Sequence, residues 1–412
     1  VFSRDFVNPI ASPLPHPSRR SFLKQAAGAG ALALASSGWA GEPARKWRVA
    51  VIGHTGRGDF GHGLETPWRR SPEAEIVGVA DAGRDGEAKA QQRFSGTRFF
   101  ADYRRMLGEV KPDIVLITPR HADQHLAMTQ AAVEAGAKGI YLEKPLCRTL
   151  GEADAMIAAC TPRGVAVAVA HRNRYHPALP VVQRLVSEGA IGRLLEIRGR
   201  GKEDNRGPGT DLWVLGSHVL NTALCFTGRP VACAGTLLSG GRPATKADLH
   251  EGGDAIGTVA GDELHVRFDT ATQVPIFFDS KKGAGVPSAG FGLQLIGTEG
   301  VIDLRVDETP LAHHLAGNPF RPVKEPRAWT PITSGGLGQP DPIPDVARLV
   351  SSHELAARDL HAAIRERRAP LCSLQDARTL VELTMATFES HRHGGTRVEL
   401  PFTGTGNPLD LL

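Results

Sequence analysis

The chain of 412 residues has only five cysteines, Cys147, Cys160, Cys225, Cys233 and Cys372. They are too few and too scattered for a disulfide scaffold. No Cys-x-x-Cys pair exists to hold zinc or run thiol exchange, and the odd count leaves at least one thiol unpaired. An excess of one charge is missing too: 48 Lys plus Arg stand against 44 Asp plus Glu, a net of +4. That excludes nucleic-acid binding driven by bulk charge. No stretch reaches the roughly 18 apolar residues of a membrane span, so no stable membrane anchor is expected. No repeat of about 20 to 50 residues marks a solenoid or propeller. The 41% hydrophobic and 22% charged residues are those of a globular protein, and the length predicts two domains.

Near the start, Ser18-Arg19-Arg20-Ser21-Phe22-Leu23-Lys24 precedes a mild apolar run over residues 25–35 and a small-residue stretch ending at Ala40. This resembles a twin-arginine export signal. It predicts a leader over residues 1–40, recognition by the twin-arginine machinery and a periplasmic mature protein. Arg4, Arg19, Arg20 and Lys24 against Asp5 place most of the net charge in that leader.

From Trp47 onward the pattern alternates strands and helices. Four β-rich runs, residues 48–52, 75–81, 113–117 and 139–142, are separated by segments such as 126–135 that read as helices. Continuous apolar strands with helical connections predict a parallel sheet buried on both faces, with ligands at the strand carboxyl ends. Those ends carry Gly53, Asp81, Thr118-Pro119 and Glu143. In Gly53-His54-Thr55-Gly56-Arg57-Gly58, the glycines would admit a pyrophosphate at a following helix N-terminus. The match to G-x-G-x-x-G is imperfect, because Thr55 stands at the middle glycine and the glycine has moved to position 56. Asp81 is placed to accept hydrogen bonds from adenosine ribose hydroxyls, which favours NAD over NADP.

Glu143-Lys144-Pro145 completes a set with the glycine loop, Asp81, Thr118-Pro119 and His125. In this order and spacing, together with 171–177, Gly216-Ser217-His218, Asn221 and the closing Ser373-Leu374-Gln375-Asp376-Ala377, the mature chain resembles the Gfo/Idh/MocA family of nicotinamide-dependent oxidoreductases. The resemblance implies an N-terminal Rossmann domain over residues 45–170. It also implies a C-terminal α+β domain over 171–412 with an open-faced, largely antiparallel sheet, and a homo-oligomer. The alternating runs at 194–199, 263–268 and 291–296 read independently as such a sheet. Residues 321–344 read as a long surface loop, and residues 345–367 and 374–391 as closing helices.

For the chemistry, Lys144 is suited to orient and polarise a substrate hydroxyl, and His218 to take its proton. The cofactor set is Gly53, Thr55, Gly56, Gly58, Asp81, Thr118, Pro119, His125, Glu143 and Lys144; Arg174, Asp211 and Asn221 are candidate substrate contacts. The family's Asp-x-Gly-x-His-x-x-Asp becomes Val214-Leu215-Gly216-Ser217-His218-Val219-Leu220-Asn221, with both carboxylates lost. Asp211 could supply a carboxylate from the preceding loop. His313-His314, read as lying in a loop, and His391-x-His393 lack a metal-ligand arrangement, so no metal is expected. Three readings remain open: an exported oxidoreductase with tightly held NAD acting on a sugar or polyol; an NAD-dependent glycosidase-like enzyme working through a keto intermediate; and a sugar-binding protein without catalysis.

Overall fold

A computed structural model describes residues 45–285 and 291–412; the expected leader over residues 1–40 lies outside the described residues. Six strands form one parallel sheet: β1 (Trp47–Gly53), β2 (Ala74–Asp81), β3 (Phe99–Phe100), β4 (Ile114–Ile117), β5 (Gly139–Leu142) and β6 (Ala166–Val169). Their order is β3-β2-β1-β4-β5-β6. Helices cover both faces, so the central strands cannot alternate: every side chain of Ile114–Ile117, and Val49 through Ile52 in β1, is buried. The strand order reverses between β1 and β4, which opens a crevice at their carboxyl ends.

The segment after β1 departs from expectation. No helix starts behind Gly58. Residues 54–65 make successive turns instead, with Gly56, Gly58, Gly61 and Gly63 at positive φ. The first helix, Thr66–Arg70, is a single short turn. At Gly61 the backbone crosses the strand ends so closely that a Cβ would lie 2.3 Å from the Thr118 carbonyl oxygen. Only glycine combines that approach with a φ of 55°.

The C-terminal part is built on an eleven-stranded sheet. Its described pairings are antiparallel except that of Ile276–Lys281 with Leu194–Arg200. Alternation sets its faces. In Glu263–Thr270, Leu264, Val266 and Phe268 are buried while His265 and Arg267 face water, each buried side chain being worth about 1.5–3 kcal/mol. Helix Leu374–Arg392 covers the inner face. Ser390 Oγ accepts from Gly235 N at 2.9 Å, and Phe388 meets Trp213 edge to face. This helix starts with a reciprocal cap between Ser373 and Asp376.

Three local expectations are corrected. Residues 345–367 are two helices, Val346–Ser351 and Glu354–Glu366, interrupted at His353 with φ 62°. Within 321–344, Trp329–Thr333 and Gly336–Leu337 pair at the edge of the sheet, where a strand tolerates Pro331. His313 and His314 lie on strand Ala312–Ala316 rather than in a loop.

Candidate active site

A cavity of about 300 Å³ lies against the ends of β4 and β5 and is closed by residues from the C-terminal part. Lys144, directly after β5, is 6% exposed. Its Nζ meets the Val214 carbonyl oxygen at a weak 3.4 Å. Burial pushes its pKa down, Glu143 and Asp254 pull it back up, and Arg206 and Arg172 press it down further. The ammonium therefore faces the cavity with most of its hydrogen-bonding capacity unspent.

Glu143 works inward. Its carboxylate accepts from the Lys144 backbone N at 2.7 Å and from His62 N at 3.1 Å, and it pairs with the His62 ring. Burial alone would raise its pKa, but His62, Lys144 and His353 outweigh this and hold it at about 2. It stays an anion, fixing the glycine loop and the turn that carries Lys144.

His218, in the first turn of helix Gly216–Thr227, lines the same cavity, and its Nδ1 is buried without a partner. Gly216 opens that helix because the Phe278 ring packs where its Cβ would be, at 2.7 Å. Burial, then the charge of Lys144, hold the His218 pKa well below its ordinary value, so the imidazole is neutral. His171 stacks edge to face on it, 5.3 Å between centroids, with both ring nitrogens unpartnered, and burial lowers its pKa to about 3. A buried ammonium beside two neutral imidazoles can donate to one substrate oxygen and accept its proton.

A second cleft, also about 300 Å³, opens at the ends of β1 and β2, lined by Gly53, Asp81, Tyr103 and Arg104 among others. Asp81 Oδ1 accepts from Thr55 N and Gly83 N, both at 2.8 Å, and Oδ2 from the Thr55 hydroxyl at 2.9 Å. Thr55, standing where a glycine was expected, thus braces the acid. Oδ2 keeps a lone pair for a ribose hydroxyl, and this donor and acceptor set fits the adenosine half of a nicotinamide dinucleotide. The phosphates would meet turn backbone and not a helix N-terminus from the segment after β1.

Other predicted residues fall into two groups. Gly53 leaves room for the Phe60 ring, which a Cβ would meet at 2.4 Å; Gly58 lets the loop dock on Arg120 N; and Gly56 is open to solvent. Thr118 donates to the Ile52 carbonyl at 2.8 Å and ties β4 to β1. The second group is corrected. His125 is fully buried, its two ring nitrogens on the Leu146 and Pro119 carbonyl oxygens, so it pins those turns and touches neither cleft. Arg174 donates to the Asn221 carbonyl at 3.1 Å and contacts Cys225. The Asn221 side chain is buried towards Cys372. Neither residue lines the cavity.

Asp211 is buried and spent. It accepts from Lys202 N, Glu203 N and the Ser280 hydroxyl at 3.1, 2.9 and 2.6 Å, and so shapes the loop bearing Lys202. Asp211→Ala strips the buried Glu203 N and Ser280 hydroxyl of their acceptor, and a loss of about 2–3 kcal/mol is expected. The midpoint of urea unfolding checks this; an unchanged midpoint would refute it.

The cavity also gathers residues that the sequence reading missed: Arg120, Arg172, Arg206, Asp254, Asp307 and His353. They come from six separate segments, and only the tertiary fold assembles them. Among the described residues no group of three or more His, Cys, Asp or Glu is arranged to hold a metal.

Residues 47–171 match the family described as "Oxidoreductase family, NAD-binding Rossmann fold". This segment is similar to the NAD-binding domain of the Gfo/Idh/MocA family. Among characterised proteins, the chain is 36% identical over 148 residues to D-apiose dehydrogenase of Paraburkholderia graminis, covering 36% of this chain and 38% of that one. It is 34% identical over 204 residues to levoglucosan dehydrogenase of Pseudarthrobacter phenanthrenivorans, covering 45% and 50%. The match thus spans half or less of these relatives' lengths. A solved structure of levoglucosan dehydrogenase in complex with NADH and levoglucosan superposes with a TM-score of 0.65 over 87% of this chain and all of that one, at 22% identity. The shared fold therefore extends through the C-terminal sheet as well as residues 47–171.

Proposed function

We propose that the chain is an NAD-dependent oxidoreductase that interconverts a sugar or polyol hydroxyl and its carbonyl. The carrying observation is the buried, unspent Lys144 ammonium beside the neutral His218 and His171 rings, at the carboxyl edge of an NAD-binding sheet. Relatives named D-apiose and levoglucosan dehydrogenases support the substrate class. A bound nicotinamide would take up the carbinol hydride. Lys144 holds the substrate oxygen by a charge-assisted hydrogen bond and stabilises the alkoxide that forms as its proton leaves. His218 receives that proton; its depressed pKa keeps the ring in the basic form, and His171, edge to face against it, positions the ring. Asp81 would hold the adenosine ribose.

We also propose that the protein is exported in folded form, on the strength of Ser18-Arg19-Arg20-Ser21-Phe22-Leu23-Lys24. A compartment poor in free nucleotide then requires the dinucleotide to stay bound through turnover. The test is to purify the protein without added nucleotide, denature it, and identify what is released by mass spectrometry. About one NAD or NADH per chain is expected, with the bound nicotinamide changing redox state on addition of a sugar from a neutral and acidic panel. A chain that is empty and binds neither NAD nor NADP would overturn the proposal.

A further inference from the structure

The cavity at Lys144 is unusually cationic for a site that takes a neutral polyol. Five of its lining residues are lysine or arginine and three are carboxylates. Two of the five cations are neutralised within the protein, Arg172 by Asp307 at 2.7 Å and Arg206 by Asp204 at 2.6 Å. Glu143 is engaged by His62. Among the described residues, Lys144, Lys202 and Arg120 have no carboxylate within ion-pair distance, and Asp254 is the lining carboxylate left without a partner. Three unpaired cations thus converge on one free anion.

Each of the three is presented by a constrained backbone rather than by a loose surface segment. Lys144 follows β5 in a turn whose N–H is held by Glu143. Arg120 follows β4, and its N–H is bound to the Gly58 carbonyl at 3.2 Å. Lys202 sits on the loop that the buried Asp211 carboxylate clamps. Cations of like sign repel, and holding three around a small cavity costs free energy unless an anion fills it. The Nδ1 of His218, which lines the same cavity and has no partner among the described residues, calls for a hydroxyl group as well. One molecule carries both: a sugar bearing an anionic group.

We propose that the substrate is a monosaccharide with an acidic substituent, a sugar carboxylate or a sugar phosphate, whose anionic group is held by Lys202 and Arg120 while a ring hydroxyl meets Lys144. This rests on the function proposed above and narrows its substrate class. No additional chemistry is required, because the acidic group is a handle and takes no part in the hydride and proton transfer. Its charge also offsets the repulsion that Lys144 exerts on His218, which makes the imidazole a better proton acceptor when the correct substrate is bound.

The test uses the full chain with NAD, isothermal titration against D-glucuronate, D-glucose 6-phosphate and D-glucose, and NADH formation followed in parallel. One of the two acids is expected to bind at least about tenfold tighter than glucose. That margin should shrink several-fold between low and high salt, and also in Lys202→Met. Which acid wins decides between carboxylate and phosphate. Equal or tighter binding of glucose, or a margin insensitive to Lys202→Met, overturns the inference. If neutral sugars are oxidised with no preference for acids, this inference fails alone. If an acid binds tightly but no sugar or acid changes the nicotinamide, the oxidoreductase reading fails and the anionic site stands. Binding of none of the three overturns both.

Discussion

Lys144→Met is expected to lower kcat/KM for the oxidised substrate by about a thousandfold or more, the range associated with losing both a positioned donor and its charge on a developing alkoxide. The methionine keeps most of the buried stem volume. It removes an ammonium whose single hydrogen-bond partner among the described residues is the Val214 carbonyl at 3.4 Å. NAD binding should persist, since Asp81 and the glycine loop are untouched.

The same substitution should leave the fold as stable as before, or more so. Burial depresses the Lys144 pKa in the folded chain, so at neutral pH the unfolded state holds this proton more readily and the charge is a destabilising element. A protein that retains such a group at a cavity wall uses it there. Lys144→Arg should recover little activity, because the planar guanidinium cannot occupy the space of a compact ammonium. Steady-state kinetics with thermal melts of both variants check this. Full activity in Lys144→Met would remove the lysine from the mechanism, and a collapsed melt would assign it to the fold.

How much of this was legible beforehand follows a physical boundary. Runs such as Ile114-Val115-Leu116-Ile117 announce buried parallel strands because every position is apolar, and what stands at a strand's end then follows from the rule for such sheets. Lys144 was found that way. The absent helix after Gly58 was legible as well but outweighed by the glycine fingerprint: Gly53, Gly56, Gly58, Gly61 and Gly63 within eleven residues, with Pro67 beyond, are too costly for a helix.

The substrate contacts were not legible. Arg172 and Arg174 sit two apart in the short helical turn Arg172–Tyr175, and nothing local says which of them turns towards the cavity. Arg172 does, reaching Asp307, 135 residues away in sequence, while Arg174 braces the helix that carries His218. Asp211 looked like a replacement for the lost motif carboxylates by spacing alone. Its hydrogen bond from Ser280 comes from strand Ile276–Lys281, 69 residues away, which no window around residue 211 contains, and nothing local says that the backbone at Lys202 and Glu203 turns onto the carboxylate.

The buried histidines predict a steep loss of stability on mild acidification. Burial lowers the pKa of His171 to about 3 and that of His353 to about 4, against 6.5 when unfolded. The unfolded chain therefore binds more protons than the folded one as pH falls from about 6.5 towards 4, and stability must fall with it. By about pH 5 each of the two removes on the order of 2 kcal/mol relative to neutral pH, a large share of the 5–15 kcal/mol of an ordinary domain. Glu143, held at about 2, gives little slope above about pH 5, where it is ionised in both states; its contribution is lost as pH falls through 4.5 towards 2. Unfolding midpoints measured in denaturant between about pH 5 and 8 should fall steadily on the acid side. His353→Asn removes one of these titrating rings and keeps a residue type tolerant of the φ of 62° found there. It should flatten the acid limb by roughly one part in five, because burial also holds His176 and His361 at about 4 and His218 well below its ordinary value. A flat profile in the parent chain, or an undiminished slope in His353→Asn, would mean that these rings are reached by water and charged in the folded protein. The neutral His218 required for proton acceptance would then lose its support, since it shares with His171 the same buried wall.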